Sequence, residues 1–153
     1  MSRDPNLELM AELFGFLSDE VVRRFGDEGE EAVLAAVRSF GESRGADIAR
    51  RVRDAGAEPT VKNYLEYYDM QRDTGFEVRT ELGEGRADQV FEHCPLWEVW
   101  REMGLEDAGY LYCREIDASL TRGYNPHMVF RHHTHFRDPE GRCRMSFCLP
   151  DEE

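Results

Sequence analysis

The sequence predicts an α+β fold, in which N-terminal helices and antiparallel β-hairpins form a single domain over residues 1–153 and helices cover one face of the sheet. Three observations lead to this prediction. Segments with apolar residues at three- and four-residue steps come first, segments with alternating apolar and polar residues follow, and short turn sequences separate them. The 153 residues, 41% of them hydrophobic, are enough to build one core.

Two helices are predicted first, from apolar periodicity and glycine stops. One ends at Gly26, and we expect its apolar stripe to lie in the core: Leu7, Met10, Phe14, Leu17, Val21 and Phe25. The next runs from Asp27 to Ala55 and stops at Gly56. Its predicted inner face carries Val33, Val37, Phe40, Ile48 and Val52.

Gly41 and Gly45 lie four residues apart in the second helix, on one face, with Arg38 and Arg44 beside them. A glycine in a helix interior costs about 1 kcal/mol relative to alanine. The pair therefore predicts either the close approach of another element or a break in the helix.

The middle of the chain predicts a short helix and a hairpin. Pro59 and Thr60 begin a third helix that continues to Tyr68, and alternation over residues 76–82 indicates a strand. "GEG" at residues 83–85 turns the chain into an antiparallel strand that ends near Cys94. Pro95 suits the first turn of a helix through Met103.

The C-terminal part predicts another helix and hairpin. The helix runs from about Leu105 to Thr121 and ends at "RG", residues 122–123. The strands "MVFRHHTHF" and "RCRMSFCL" then pair across a turn at residues 138–141.

Charge and hydropathy exclude several classes of partner. The net charge is -13, and the 19 basic residues form no cluster, so we expect no nucleic acid partner. No stretch has the apolar length of a membrane span, and acids interrupt the N-terminal apolar pattern, unlike in a secretory signal. We therefore expect a cytoplasmic protein with no membrane partner.

In that reducing compartment the four cysteines are expected to be thiols: Cys94, Cys113, Cys143 and Cys148. No two of them form a CxxC pair, so a zinc ribbon is not predicted. A metal site remains an alternative, with ligands from Cys94, Cys113 and Cys143 or from His132, His133 and His135, which would have to assemble in three dimensions.

Cys94 is the first candidate for chemistry. At a helix N-cap, free N–H groups and the helix dipole favour an anion, which would lower the pKa of the thiol and make it a nucleophile. The alternative is a small buried residue that fills the end of the strand.

Cys113 and Asp117 are the second candidate, because residues four apart on a helix point the same way. Tyr110 and Leu120 share that face, so the carboxylate has apolar neighbours and needs a partner or a raised pKa. Either makes Asp117 a proton donor or acceptor beside a thiol. The alternative is that Asp117 only bonds neighbouring groups and that Cys113 is filler.

The strand "MVFRHHTHF" carries the third candidate. Alternation puts Met128, Phe130, His132, Thr134 and Phe136 on one face, and Val129, Arg131, His133 and His135 on the other. Arg131, His133 and His135 could bind a carboxylate or, with a cysteine from elsewhere, a metal. The alternative is that they form the histidine-rich outer face of an edge hairpin. Asn125, before a proline, has an amide free to bond backbone or a ligand.

Residues 91–147 resemble the signature region of the L-2-amino-thiazoline-4-carboxylic acid hydrolase family, and "FGESRGADIA" is similar to its glycine-containing helix. The closing "GRCRMSF" is also similar to the end of 4-vinyl-reductase-like small-molecule-binding domains. The family motifs are carried by Cys94-Pro95, Cys113 before Glu115-Ile116-Asp117, Tyr124-Asn125-Pro126, Arg131, Thr134, Gly141 and Cys143. The histidines of "RHHTHF" and the extra Cys148 do not match the pattern.

The resemblance implies hydrolytic opening of a small cyclic amidine, such as 2-aminothiazoline-4-carboxylate, to S-carbamoylcysteine. Our hypothesis makes Cys113 or Cys94 the nucleophile and Asp117 the proton shuttle, with no cofactor. The substrate carboxylate would meet Arg131 and Asn125, with Tyr110 and Arg44 as further contacts. The alternatives are a non-enzymatic small-molecule-binding or sensor domain and a metal-dependent enzyme with Cys and His ligands.

Overall fold

The computed structural model describes residues 2–71 and 74–150 and has the predicted α+β class. Four helices and four strands follow each other along the chain. They are α1 Pro5–Asp54, α2 Val61–Glu66, β1 Glu77–Gly83, β2 Arg86–His93, α3 Pro95–Met103, α4 Glu106–Tyr124, β3 Val129–Thr134 and β4 Cys143–Cys148. The strands form one antiparallel sheet in the order β1-β2-β4-β3.

Helix α1 contains both helices predicted for the N-terminal third. Gly26, with φ 58° and ψ -134°, interrupts it at the predicted boundary, because glycine alone adopts such an angle without strain. The Asp4 carboxylate caps the start of the helix by accepting N–H bonds from Asn6 and Leu7. The helix ends just before Gly56, as predicted.

The first half of α1 packs through small residues, so the prediction that its whole large apolar stripe lies in the core is wrong. Ala11, Gly15 and Ser18 are buried. Only one narrow side of the helix is covered, and three residues of the predicted stripe are exposed: Met10 (37%), Leu17 (57%) and Phe25 (63%). Four large exposed side chains lie on this half of the helix, and we term them the apolar stripe of α1, as distinct from the stripe predicted to be buried: Leu9, Leu13, Phe16 and Leu17.

The second half of α1 packs against α4 with almost no space between the two backbones. A Cβ atom at Gly41 would lie 2.6 Å from the Ser119 Cβ, and one at Gly45 would lie 2.6 Å from the Tyr124 nitrogen. Close approach, rather than a break, is therefore the reason for these glycines. Phe40, predicted to be core, is 46% exposed because it lies at the edge of this contact.

The sheet turns one face toward the helices. In its central strands, Gln89 and Phe91 of β2 and Met145 and Phe147 of β4 are buried. Helix α2 is shorter than predicted, and α4 continues three residues past Thr121 to Tyr124. None of the helices in the described part of the chain has the length and hydropathy needed to cross a membrane.

Candidate active site

A cavity of about 90 Å³ lies between the inner face of the sheet and helices α1 to α4. Most of its wall is aromatic or aliphatic, as is usual for a small-molecule site. The polar and thiol side chains in the wall are those of Arg44, Gln89, Cys94, Cys113, Asp117, His132, His135 and Cys143, together with the tyrosines Tyr64, Tyr68 and Tyr112.

Helix α4 brings Cys113 and Asp117 into this wall, as their four-residue spacing predicts. Burial is the main reason why the pKa values of three cavity thiols are raised, and the nearby Asp117 carboxylate adds to the rise for each: Cys94, Cys113 and Cys143. The fold thus brings into one cavity the thiols and the carboxylate that lie between Cys94 and Cys143 in the sequence.

The three cavity thiols are held in their neutral form. Burial raises the pKa of Cys94 to about 11, even though the backbone N–H groups of Trp97 and Leu96 at the start of α3 act in the opposite direction. The expectation that the helix N-cap lowers this pKa is therefore wrong: desolvation outweighs the helix terminus. Burial likewise raises the pKa of Cys113 and of Cys143.

Cys143 differs from the other two because it has a base beside it. Its Sγ lies 3.1 Å from Nε2 of His132 on the neighbouring strand. Burial lowers the pKa of His132, with Asp117 acting in the opposite direction, so the imidazole is neutral near pH 7 and can accept the thiol proton. Thiol, imidazole and carboxylate thus line one cavity, and this is a combination that nucleophilic catalysis uses.

The contact between Cys143 and His132 was not predicted from the sequence. His132 pairs with Met145, so Cys143, two residues before Met145, is its diagonal neighbour across the hairpin. Alternation had placed His132 on the more apolar face, and Cys143 was considered only as a metal ligand and as part of the family motif. Deriving the register of the hairpin from its turn would have brought the two side chains together.

His135 was predicted on the solvated face with Arg131 and His133, and that prediction is wrong. A register shift between His132 and Thr134 ends the alternation, and His135 turns inward until it is 5% exposed. Its Nδ1 accepts the Arg137 N–H at 3.2 Å, and burial lowers its pKa to about 4. The ring is therefore a neutral part of the cavity wall.

Three of the predicted substrate contacts do not line the cavity. Arg131 is exposed on the outer face of β3, because residues of a strand alternate between faces and His132 takes the inner one. Asn125 uses its amide on the chain itself: Nδ2 donates to the Pro59 carbonyl and Oδ1 accepts the His127 N–H. The Tyr110 ring contacts His135 on one side and the Arg137 guanidinium on its face, so Tyr110 lies behind the cavity wall that His135 forms.

Arg44, by contrast, reaches the cavity wall from α1. Its guanidinium forms a two-pronged ion pair with Asp69, with Nε and Nη2 at 2.8 Å and 2.6 Å from the carboxylate oxygens. Nη1 and Nη2 also donate to the hydroxyls of Tyr112 and Tyr68, at 3.3 Å and 3.4 Å. Among the residues described, no group of three or more His, Cys, Asp or Glu side chains is arranged to hold a metal ion.

Comparison with known families extends the resemblance seen at residues 91–147. The sequence profile of the L-2-amino-thiazoline-4-carboxylic acid hydrolase family matches residues 6–147, nearly the whole chain. The chain belongs to this family. The name of the L-2-amino-thiazoline-4-carboxylic acid hydrolase family describes hydrolysis of a small thiazoline carboxylate. No curated protein matches the chain.

A solved structure shares the fold of this family member. It is a trafficking protein particle complex subunit 3 from Naegleria fowleri, covalently bound to palmitic acid. The TM-score is 0.58 over 95% of this chain and 96% of that chain, with 14% sequence identity. At this identity the likeness shows a common fold, and any function has to be inferred from the residues of the cavity.

Proposed function

We propose that the protein hydrolyses a C–N bond in a small cyclic amidine that carries a carboxylate, such as 2-aminothiazoline-4-carboxylate. One observation carries the proposal: the Cys143 thiol lies 3.1 Å from the neutral His132 imidazole in a small cavity that Asp117 also lines. Family membership supports the reaction class. The free state of all four cysteines supports a reducing compartment such as the cytoplasm.

In the proposed reaction, His132 takes the proton of Cys143 as Sγ attacks the ring carbon between sulfur and nitrogen. The C–N bond to the ring nitrogen then breaks, and His132 returns the proton to that nitrogen, which leaves as a primary amine on the opened chain. Asp117 stabilises the imidazolium and the cationic amidine. This step leaves the ring carbon bonded to the enzyme sulfur.

Water completes the reaction. Its oxygen attacks the same carbon, and one of its protons passes through His132 to Sγ as the bond between that carbon and Sγ breaks; the other proton passes to the newly formed amine, which leaves a carbonyl group. The sum is one substrate and one water to one S-carbamoylcysteine, and the enzyme is regenerated. A neutral thiol with a base beside it suits this order, because the proton leaves only as the new bond forms.

Cys113 and Cys94 remain candidates for the nucleophile, with Asp117 as proton shuttle. We rank them after Cys143 because no base in the described residues is hydrogen-bonded to either thiol. If Cys143 is the nucleophile, Cys94 and Cys113 serve to shape the cavity wall and to exclude water from it.

The test is turnover of 2-aminothiazoline-4-carboxylate to S-carbamoylcysteine, followed by mass spectrometry. We expect Cys143→Ala to lose turnover and His132→Gln to lose roughly 100- to 10,000-fold in kcat. Cys148→Ala, on the same strand and outside the cavity, is the matched control and should retain kcat. Full turnover by Cys143→Ala would exclude this mechanism, and testing Cys94→Ala and Cys113→Ala would then identify or exclude another nucleophile.

A binding domain without turnover is the second candidate function. The subunit from Naegleria fowleri that shares this fold is covalently bound to palmitic acid, and the cavity here has an apolar wall with three thiols. A volume of about 90 Å³ is below the roughly 150 Å³ of a cavity that holds benzene, so the cavity would have to widen a little for a small ring and much more for a long acyl chain. Intact mass spectrometry decides: a stable adduct on a cavity cysteine without product formation favours binding over hydrolysis.

A further inference from the structure

Arg44 is the one arginine or lysine in the described part of the cavity wall. Its side chain is 10% exposed, and its guanidinium carbon lies 5.5 Å and 5.6 Å from the ring centres of Phe40 and Tyr68. A second cavity of about 350 Å³ neighbours the first, and Arg44, Met70 and Tyr112 line both. These residues therefore form the boundary between the two cavities.

The two edges of this guanidinium are used differently. Asp69 occupies the Nε/Nη2 edge with two short bonds, which fix the plane of the group. The Nη1/Nη2 edge makes only the 3.3 Å and 3.4 Å bonds to the Tyr112 and Tyr68 hydroxyls, longer than the usual N–H···O distance of about 2.9 Å. This second edge is thus the weakly bonded one.

The Tyr112 hydroxyl can act as a further donor at the same place. Its oxygen accepts the Arg44 N–H, and no acceptor for its own proton lies within the described residues. Burial raises the pKa of Tyr112, so the hydroxyl keeps that proton at neutral pH. The Arg44 Nη1 group and the Tyr112 hydroxyl are thus neighbouring donors, 3.3 Å apart, that can both donate to one anionic group.

We propose that Arg44 Nη1 and the Tyr112 O–H bind the carboxylate of the ligand at this boundary between the two cavities, and that Asp69 is the positioning residue that orients Arg44. The proposal rests on the proposed function for the identity of the substrate but not for the chemistry of binding. It replaces Arg131 and Asn125 as carboxylate ligands, since neither lines the cavity.

This anchor sets the orientation of the ligand. Tyr112 and Asp117 are five residues apart on α4, which is about 7.5 Å along the helix axis. A small ring anchored by its carboxylate at Tyr112 can therefore direct its amidine toward Asp117 and the Cys143–His132 pair. The Arg44 guanidinium would then face the carboxylate of the ligand, and the Asp117 carboxylate would face its amidine.

The experiment compares paired probes by isothermal titration calorimetry on the full chain. The pairs are 2-aminothiazoline-4-carboxylate with 2-aminothiazoline, and benzoate with benzamide. We expect Arg44→Gln to weaken the carboxylates by about 10- to 100-fold and Tyr112→Phe to weaken them by about 3- to 10-fold, with the uncharged-end partners unchanged. Arg38→Gln, whose side chain pairs with Glu115 instead, is the matched control and should change neither.

Two further measurements distinguish binding of the ligand carboxylate from a general effect on the shape of the cavity. Asp69→Asn should raise KM and leave kcat unchanged, because it loosens the orientation of Arg44 and does not touch the reacting atoms. Should Arg44→Gln fail to fold, Tyr112→Phe, which removes only a hydroxyl, carries the test. Equal loss for both members of a probe pair, or no loss for either, overturns the anchor.

Binding and turnover can fail separately. If no carboxylate binds the wild-type protein, the anchor is wrong whatever the enzyme does. If carboxylates bind through Arg44 and Tyr112 but none is hydrolysed, the anchor holds and the hydrolase proposal fails.

Discussion

At the residue scale, the four cysteines differ in their surroundings more than the sequence suggests. Cys94, Cys113 and Cys143 line a largely apolar cavity that raises their pKa values, whereas Cys148 ends β4 and lies outside it. Sequence position placed Cys94 correctly at a helix N-cap but could not weigh desolvation against the helix dipole. That balance depends on which side chains close over the thiol.

Alkylation should therefore begin outside the cavity. We expect iodoacetamide at pH 7.5 to modify Cys148 first and turnover to decline more slowly than total labelling, because the attacking species is the thiolate. Peptide mass mapping against time measures this order. Cys148→Ser removes the fast phase as a control, and a fast phase that maps to Cys113 or Cys143 would contradict the assigned pKa directions.

His135 should make the stability of the fold depend on pH. Its pKa is lowered from the ordinary 6.5 to about 4, so stability is fully present above pH 6.5 and is lost as the pH falls through 4. Protonation would also remove the bond that Nδ1 accepts from Arg137. Up to about 3 kcal/mol is involved.

The measurement is urea unfolding of wild type and His135→Gln at pH 7 and pH 4.5. The wild type should lose more unfolding free energy between the two values than the variant, while His127→Gln, at an exposed position, should behave as the wild type. Equal losses in all three proteins would show that His135 is not the group responsible.

The positions of site residues could be predicted from the sequence where both residues lie on the same helix. Cys113 and Asp117 belong to a single helix, whose period places both in the cavity wall. The Cys143–His132 pair depends on the register of two strands, and the inward turn of His135 depends on a local shift in that register. Predicting either one requires the register in which β3 and β4 pair, which the pattern of a single strand does not give.

At the element scale, α1 and α4 are held together by glycines. We expect Gly45→Ala to cost about 2 kcal/mol of unfolding free energy, because the added Cβ would overlap the α4 backbone at Tyr124. This loss exceeds the gain in helix propensity, and it is measured by chemical denaturation. Gly83→Ala, which has space around it, is the matched control, and equal stability of the two variants would refute the close contact.

Helix α1 also offers a matched pair of aromatic residues. Phe14 contacts Trp100 and Tyr112 with ring centres 5.8 Å and 5.4 Å apart, whereas Phe16 is 59% exposed. We expect Phe14→Ala to cost about 3 kcal/mol and Phe16→Ala less than about 0.5 kcal/mol in thermal or urea unfolding. The reverse ranking would show that the helix turns its other side to the core.

Periodicity identified this helix and its end at Gly26 but selected the wrong residues for its buried side. Large apolar residues surround much of its first half, so the pattern has more than one apolar side. Small residues at Ala11, Gly15 and Ser18 decide the contact, because they let Trp100 and its neighbours approach. Hydrophobicity alone does not rank a glycine above a leucine.

At the scale of the whole molecule, charge counteracts the apolar stripe of α1. The net charge of -13 keeps molecules apart at neutral pH, and this repulsion vanishes near the isoelectric point of about 4.8. We expect a solubility minimum there, recorded by light scattering against pH. Leu13→Glu with Phe16→Glu should reduce the scattering more than Ala35→Glu with Ala36→Glu, which adds the same charge at other exposed positions; equal effects would exclude the stripe.

The fold class and the order of elements could be predicted from the sequence, because each helix and strand carries its own periodicity and stop signals. The arrangement of the sheet and the closing of the cavity could not, since the order β1-β2-β4-β3 brings residues from distant segments side by side.

The glycine contact between α1 and α4 has a consequence for substrate choice. Arg44 directly precedes Gly45, and Tyr112, Cys113 and Asp117 belong to the helix on which that glycine rests. Because the two main chains are in direct contact, the spacing between Arg44 on α1 and Asp117 on α4 has little freedom. We expect a ligand bound at the proposed carboxylate anchor to be selected by its length: ring substituents can vary, but one added methylene between ring and carboxylate would move the amidine away from Asp117.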